Sequence, residues 1–554
     1  MTFFDLRIRN AADLLLRGFS DDADIALLEV DGKHQRQISI GEIDQQSAAI
    51  AGWLRAQDIG SGDAVLILQP LSLQLYISLL AVIRIGAIAV FADPHNLRST
   101  VRAACQELKP LAVIGTSTTL RRQSKNPHLR KVPAKLRTNG WGLRGTSWRR
   151  ALQSEVAATE TLSLEEPAIV SFVPGPTGQP VGVVRTHGQI LEQHGAMSAV
   201  LAPLKTSIVA TDVPSVGLSN LALGIPTVML RRQDAASLAA LAQVSVVQQP
   251  KPSLDTPFEG TLDRHKRDRY ISRMVVSPGL AGQLVESADD AVFGLDDLIV
   301  TGPIYPDIAQ KLDQQLEGGS LRIVYGHPEV EPIAELAYAD TIAADRLATS
   351  VGRGVLVGKP IPEVQVAILP DDYGMPMGPF SQAEFRAYQL EVGEVGEVLV
   401  TGDHMVTNYV NGRAESETKV FVDGRIWHRT GDAGTLDPQG RLWLLGRCLA
   451  RMEDELGTTY PLAVEAAARC QLGLRKLACV DHDGRSLLVI ESAASLELDS
   501  LQEVIGMTGI SGIVVVDRLP MERHQDAKVD YRRLMQMLST RSDLVRMDFD
   551  DAGS

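Results

Sequence analysis

Residues 427–447 constrain this chain more than any other stretch. The run Trp427-His428-Arg429-Thr430-Gly431-Asp432-Ala433-Gly434-Thr435-Leu436-Asp437 continues into Gly440-Arg441-Leu442-Trp443-Leu444-Leu445-Gly446-Arg447. The pattern predicts strand, tight turn, strand, turn, strand: apolar residues alternate over 441–445, and Asp437-Pro438-Gln439-Gly440 is hairpin-turn chemistry. Asp432 follows a glycine at an expected strand end, where a carboxylate can point into a cleft. Arg447 ends the next strand, with a guanidinium able to make forked hydrogen bonds. A carboxylate that accepts two hydroxyl protons beside an arginine suits a ribose. Alone, Thr430-Gly431-Asp432 would be an ordinary turn and Arg447 an ordinary surface charge. Their order and spacing make the pair informative.

The run resembles the signature of the adenylate-forming superfamily, which includes acyl-CoA synthetases, peptide-synthetase adenylation domains and luciferases. The resemblance implies that Asp432 binds the ribose hydroxyls of ATP and that Arg447 supports it. Thr430-Gly431-Asp432 and Gly446-Arg447 match without gaps. Upstream, Tyr325-Gly326-His327-Pro328-Glu329 resembles the family's "YG.TE", which implies a tyrosine stacked on adenine and a glutamate, Glu329, that binds Mg²⁺. A carboxylate oxygen suits Mg²⁺, which keeps waters and bridges phosphates, and Glu331 is a nearby substitute ligand. The segment ending Thr301-Gly302-Pro303 resembles the strand-to-turn that contacts adenine.

The glycine-rich run 171–187 resembles the family's phosphate loop, with Gly175, Thr177, Gly178, Pro180, Gly182 and Val183 matching. Glycines let a backbone wrap phosphate oxygens and present N–H groups to them. Three positions depart from the pattern: Pro174 and Pro176 replace hydroxyl residues, and Val181 replaces the usual lysine. A proline removes a backbone donor as well as a hydroxyl. Each lost charge-assisted contact is worth about 1.5–3 kcal/mol in ordinary settings. Pro328 likewise stands where the family has threonine. These changes motivate an alternative, a pseudoenzyme that binds nucleotide or acyl ligand without turnover.

Over 554 residues, two or more cores are expected. Helical spacing over 8–20, 41–57 and 71–86 alternates with expected strands at 26–29, 64–68 and 87–91, which indicates a parallel sheet with covering helices. Arg84 would be costly in lipid, so 71–86 is read as a buried helix rather than a membrane span. Further strands are expected at 274–278 and 298–303, and 212–221 occupies the place of an acyl-pocket segment or a packed core. Residues 120–150 carry ten cations and no acid, with Trp141 and Trp148 between them. They form either a solvated rim, a contact for an anionic membrane surface, a carrier or a partner protein, or a helix pair shielding an acyl tunnel. A net charge of −14 argues against a nucleic-acid binder. Four scattered cysteines and no signal-peptide pattern fit the cytoplasm.

The fold class expected is α/β: a large N-terminal body of α/β subdomains plus a β-rich subdomain, and a small mobile α+β C-terminal domain. The resemblance divides the chain into residues 1–446, a hinge at 447–453 and a cap at 454–554. Leu449 stands where relatives carry a charged hinge residue. In the cap, strands are expected at 477–480, 487–491 and 512–516. Lys528 matches the lysine that relatives bring from the cap into the cleft, where an ammonium neutralises charge on acyl and phosphoryl oxygens. Arg523-His524 and Ala527-Lys528 make the ending closest to olefin-pathway β-lactone synthetases. The implied function is ATP-dependent activation of a fatty or β-hydroxy acid through an acyl-adenylate, releasing pyrophosphate, toward a β-lactone or, with CoA, a thioester. The sequence carries no signal for oligomeric state.

Overall fold

The computed structural model describes residues 9–548 apart from 32–33, 93–96, 141–144, 175–178, 202–207, 232–236, 239–240, 242–245, 248–267, 270, 287–293, 413–414, 456, 492–503, 505, 507, 523–524 and 541–544. By packing the chain divides into two compact units. One comprises Met1–Val276 with Asp289–Ala291 and Asp403–Glu415; the other comprises Ser277–Ala288, Val292–Gly402 and Ser416–Ser554.

The first unit is built as the alternating pattern predicts. The helix Ile40–Arg55 begins where it does because Ser39 and Glu42 form a capping box: Ser39 Oγ accepts the Glu42 N–H and the Ser39 N–H donates to the Glu42 carboxylate. The helix expected over 71–86 spans Leu73–Arg84, because Ser72 caps it at one end and Gly86, at φ 71°, ends it at the other. It is buried on every side, and its one charge, Arg84, reaches Asp44 and donates to Ser47 Oγ at 3.1 Å. Among the described residues no helix is long and apolar enough to cross a membrane.

Eight strands form one sheet in the order Asn408–Tyr409, Pro180–Thr186, Pro167–Pro174, Ile88–Ala92, Ala64–Leu68, Ala112–Gly115, Ala134–Arg137, Thr146–Ser147. From Pro167–Pro174 to Thr146–Ser147 all neighbours are parallel. The basic stretch thus supplies the sheet's last two strands and the short helices Ser117–Arg122 and Pro127–Lys131, and Trp148 packs against the main core. Of its described cations, Arg121, Arg122, Lys125, Arg130, Lys131, Arg149 and Arg150 are exposed, and Lys135 and Arg137 are half-buried. The segment 212–221 lies mostly in the helix Pro214–Leu223, packed on Tyr76, whose hydroxyl donates to the Pro214 carbonyl.

In the second unit the sheet order is Val364–Leu369, Gly396–Gly402, Arg425–Leu436, Leu442–Arg447, Val355–Pro360, Val330–Ala337, Ser320–His327, Asp297–Thr301, with Lys419–Val422 also paired to Arg425–Leu436. The expected tight turn at Gly431 does not form. One strand runs through from Arg425 to Leu436, and Gly431 holds φ 67° inside it. The residues after Arg447 pack within this unit. They form the helix Pro461–Leu472 and a sheet of Leu477–His482, Arg485–Glu491, Gly512–Val516 and Val545–Asp548.

In the first unit His187 is completely buried, and its Nδ1 accepts the Ala11 N–H at 3.1 Å. Burial pulls its pKa down to about 4 from an ordinary value of 6.5. The unfolded chain therefore binds a proton that the folded one refuses. Stability is complete above pH 6.5 and falls as pH drops toward 4, by about 3 kcal/mol from this group. Urea midpoints measured across that window should fall more steeply for the wild type than for His187→Gln.

Candidate functional site

The Thr430-Gly431-Asp432 segment of the strand is held from three directions. Thr430 Oγ1 donates to the Val398 carbonyl at 2.8 Å and accepts the Asp432 N–H at 3.0 Å, which fixes the backbone of the acid. Gly431 is required twice over, since its φ is left-handed and a Cβ there would lie 2.8 Å from the Tyr373 ring. Beneath it, Arg429 and Glu397 form an ion pair with both side chains wholly out of solvent. Arg429 donates to Glu397 Oε2 through Nε at 2.9 Å and Nη2 at 2.6 Å, donates to the Met375 carbonyl, and has Tyr373 over its guanidinium. Burial pushes the Glu397 carboxyl up to about 7 against the pull of Arg429 beside it.

Asp432 lies directly opposite Arg447 in the ladder. Arg447 Nε sits 3.0 Å from Asp432 Oδ1, and Arg447 Nη1 donates to the Thr430 carbonyl at 3.3 Å. The other oxygen, Oδ2, accepts the Tyr325 hydroxyl at 2.5 Å. Burial and the Asp432 carboxylate hold that hydroxyl protonated far above the usual tyrosine range, so it donates to the acid. Each carboxylate oxygen thus has one protein partner and a second lone pair to offer. Tyr325 and Asp432 are 107 residues apart in sequence.

Gly302 follows the strand Asp297–Thr301, and a Cβ there would lie 2.8 Å from Pro278, the first residue of the helix Pro278–Glu286. Lys528 lies on the strand Gln525–Val529, which pairs with Met521–Glu522 and lies alongside that same helix. The structure brings these elements into one unit with Asp432. A cleft of about 440 Å³ opens beside the segment after Arg447, lined by Asp371, Arg451, Glu453 and Tyr460 among others.

Of the phosphate-loop residues, Gly175, Pro176, Thr177 and Gly178 lie outside the described residues. The strands before and after them pair antiparallel, and their last pair is Pro174 and Pro180. Gly182 sits within the ladder opposite Phe172, where a Cβ would lie 2.7 Å from Val410. Val181 is buried in an apolar cluster with Val183, Val406 and Tyr409. Its side chain is committed to packing, which is a physical account of why no cation stands there.

Sequence reasoning missed a cluster around Glu329. Pro328 and Glu329 make the two-residue turn between the strands Ser320–His327 and Val330–Ala337, and Glu331 lies on the second strand. Glu329 is buried, with its carboxylate 2.6 Å from His327 Nδ1. His428 Nε2 lies 3.2 Å from the same nitrogen, and Lys419 Nζ lies 3.2 Å from His428 Nδ1. The adjacent imidazoles and ammonium hold the Glu329 carboxyl well below the usual carboxylate range against the cost of burial. Mg²⁺ calls for oxygen ligands and bound water. A buried set of two imidazoles with one carboxylate does not fit it. The signal was present in the sequence, since His327 and His428 each lie inside a recognised motif.

A sequence profile described as "AMP-binding enzyme" matches residues 21–410. The chain therefore belongs to the AMP-binding enzyme family, whose members include ligases that use ATP. Among curated proteins it is 26% identical over 460 residues to an olefin β-lactone synthetase of Stenotrophomonas maltophilia, covering 79% of this chain and 77% of that one. It is 25% identical over 535 residues to an olefin β-lactone synthetase of Xanthomonas campestris pv. campestris, covering 90% of each. Of solved structures, ATP-bound MatB from Rhodopseudomonas palustris aligns with a TM-score of 0.74 at 17% identity, over 96% of this chain and 99% of that one. The anthranilate CoA ligase AuaEII in complex with anthranoyl-AMP gives 0.72 at 15% identity, over 95% and 97%. These two show the fold alone.

The buried pair under Gly431 yields a direct expectation. Arg429→Met leaves the Glu397 carboxylate in the core without its cation, and should cost about 3–5 kcal/mol in urea unfolding. Arg429→Met with Glu397→Leu removes both charges and should recover most of that loss. Equal losses in the single and double variants would show that the pair does not act as a unit.

Proposed function

We propose that the protein activates a fatty or β-hydroxy acid with ATP and converts the acyl-adenylate to a β-lactone. A carboxylate oxygen of the acid attacks the α-phosphorus, the bond to the β-phosphate breaks, and pyrophosphate leaves with the electron pair. In the adenylate of a β-hydroxy acid, the hydroxyl oxygen then attacks the acyl carbon. Its proton passes to water and AMP leaves. Chemistry of this kind is largely positioning and charge stabilisation.

The observation that carries this reading is the Asp432 carboxylate, fixed by Tyr325 and Arg447 with a lone pair left on each oxygen. That is hardware for two vicinal hydroxyls. In this reading Asp432 and Arg447 take the ribose, Tyr325, Gly326 and Gly302 the adenine, and Gly175, Thr177, Gly178 and Gly182 the phosphates. Lys528 neutralises charge on the acyl and phosphoryl oxygens after the segment beyond a hinge at 447–453 turns. The lactone outcome is supported by the names of the two β-lactone synthetase relatives and by the Arg523-His524…Ala527-Lys528 ending. Transfer to CoA is the competing outcome. The exposed cations of the 120–150 edge suit an anionic partner surface.

A second reading, nucleotide binding without turnover, is favoured by one observation: Glu329 is enclosed by His327 and His428 rather than open to a hydrated Mg²⁺. One experiment separates the readings. The protein is incubated with MgATP and plain or β-hydroxy fatty acids, with and without CoA; pyrophosphate is assayed and products are weighed by mass spectrometry. The expected result is pyrophosphate with a product lighter than the β-hydroxy acid by one water. Asp432→Ala and Lys528→Ala should each lower the rate by more than about 100-fold. ATP binding with no pyrophosphate would favour the second reading, and no ATP binding would overturn both.

A further inference from the structure

The cluster at Glu329 holds groups to which the acid-activation reading gives no role. His327 ends one strand of the second unit, two residues beyond Tyr325. His428 lies on another strand, four residues before Asp432. One ligand atom from each of His327, Glu329 and His428 can be chosen so that all three lie within 4.8 Å of one another. The His327 and His428 rings are 5.1 Å apart by centroid and tilted by 45°, so the approach is nitrogen to nitrogen rather than stacked.

Lys419 stands directly opposite His428 in the ladder, with its ammonium 3.2 Å from His428 Nδ1. On the other side of the ring, the Glu329 carboxylate and His428 Nε2 converge on His327 Nδ1, at 2.6 and 3.2 Å. A cation seated among the three atoms takes a lone pair from each. Contacts of 2.6 and 3.2 Å are close to the edges of a coordination polyhedron with bonds of about 2.0–2.2 Å.

We propose that His327, Glu329 and His428 form a site for a borderline divalent transition ion such as Zn²⁺, distinct in chemistry from the hard Mg²⁺ the fold family implies. Two imidazoles and a carboxylate are a donor set of that class, with further coordination positions open. Its built-in opponent is Lys419, whose side chain is buried against His428. An ammonium this close repels a second cation, and affinity is held down accordingly.

The test uses the full chain stripped with EDTA and titrated with Co²⁺, read by its visible d–d absorption. A band saturating at one ion per chain is expected, abolished by stoichiometric Zn²⁺ and retained in large excess of Mg²⁺. His327→Ala, at a half-buried position, should weaken Co²⁺ binding by more than about tenfold with the far-UV circular dichroism unchanged. Lys419→Met, close in size, should move affinity the other way, by about tenfold or more, because the nearest like charge is removed. No d–d band, a band unaltered in His327→Ala, displacement by Mg²⁺ as readily as by Zn²⁺, or weaker binding in Lys419→Met would each overturn the proposal.

Discussion

The fully enclosed pair Arg429–Glu397 is the interaction on which the second unit's site depends. Taking two charges out of water is costly, and the cost is recovered only when hydrogen bonds are saturated and geometry is tight. Here the guanidinium has the carboxylate on one side, the Met375 carbonyl at its tip and Tyr373 across its face. Those constraints leave Arg429 one position, which pins the strand on either side of it. Gly431 can then hold a left-handed backbone in mid-strand, and Asp432 emerges facing Tyr325 and Arg447. A simple turn would have let the acid move; a left-handed glycine clamped from below does not.

This explains what was legible in the sequence and what was not. The helix Ile40–Arg55 was readable because its start is encoded locally, with Ser39 and Glu42 three residues apart. The ends of Leu73–Arg84 differ from the apolar spacing by two residues at each side, because Ser72 and Gly86 set the ends and hydrophobicity does not. Gly431 looked like a turn because glycine before an acid usually is one. What keeps it in the strand is Arg429, two residues back, held by Glu397, 32 residues from that arginine on the strand that pairs alongside. Asp432 and Arg447 were paired correctly because a hairpin joins them. Their third partner, Tyr325, came from the family motif rather than from any local pattern.

The His327–His428 contact was illegible for the same physical reason. Its members lie 101 residues apart on strands that are not neighbours in the sheet, so neither local spacing nor strand pairing announces the contact. Val181 shows the converse. A missing lysine suggests a lost function when read against a motif, yet the valine fills an apolar cluster that a lysine would have to leave. Both cases show that a motif position has two masters, the ligand and the core, and a sequence displays only the residue that resulted.

Packing after Arg447 bears on how the C-terminal segment can move. Leu449 is exposed and can make no charged contact; two residues on, Arg451 pairs with Asp371 at 3.1 Å, and Asp371 also accepts the Tyr460 hydroxyl at 2.8 Å. Farther along, Arg469 donates twice to Asp307 and lies over the Tyr305 ring, while Tyr305 and Tyr531 both donate to the buried Glu465. Any rotation about residues 447–453 has to break the contacts to Asp371, Asp307 and Tyr305 together. At about 1.5–3 kcal/mol for each charged hydrogen bond, the turned state is a small minority unless a ligand binds it preferentially. A bound adenylate can shift the balance only by contacts absent from the present arrangement. In the proposed mechanism those new contacts would be made by groups beyond the 447–453 segment, and Lys528 is the cation that the family resemblance places there.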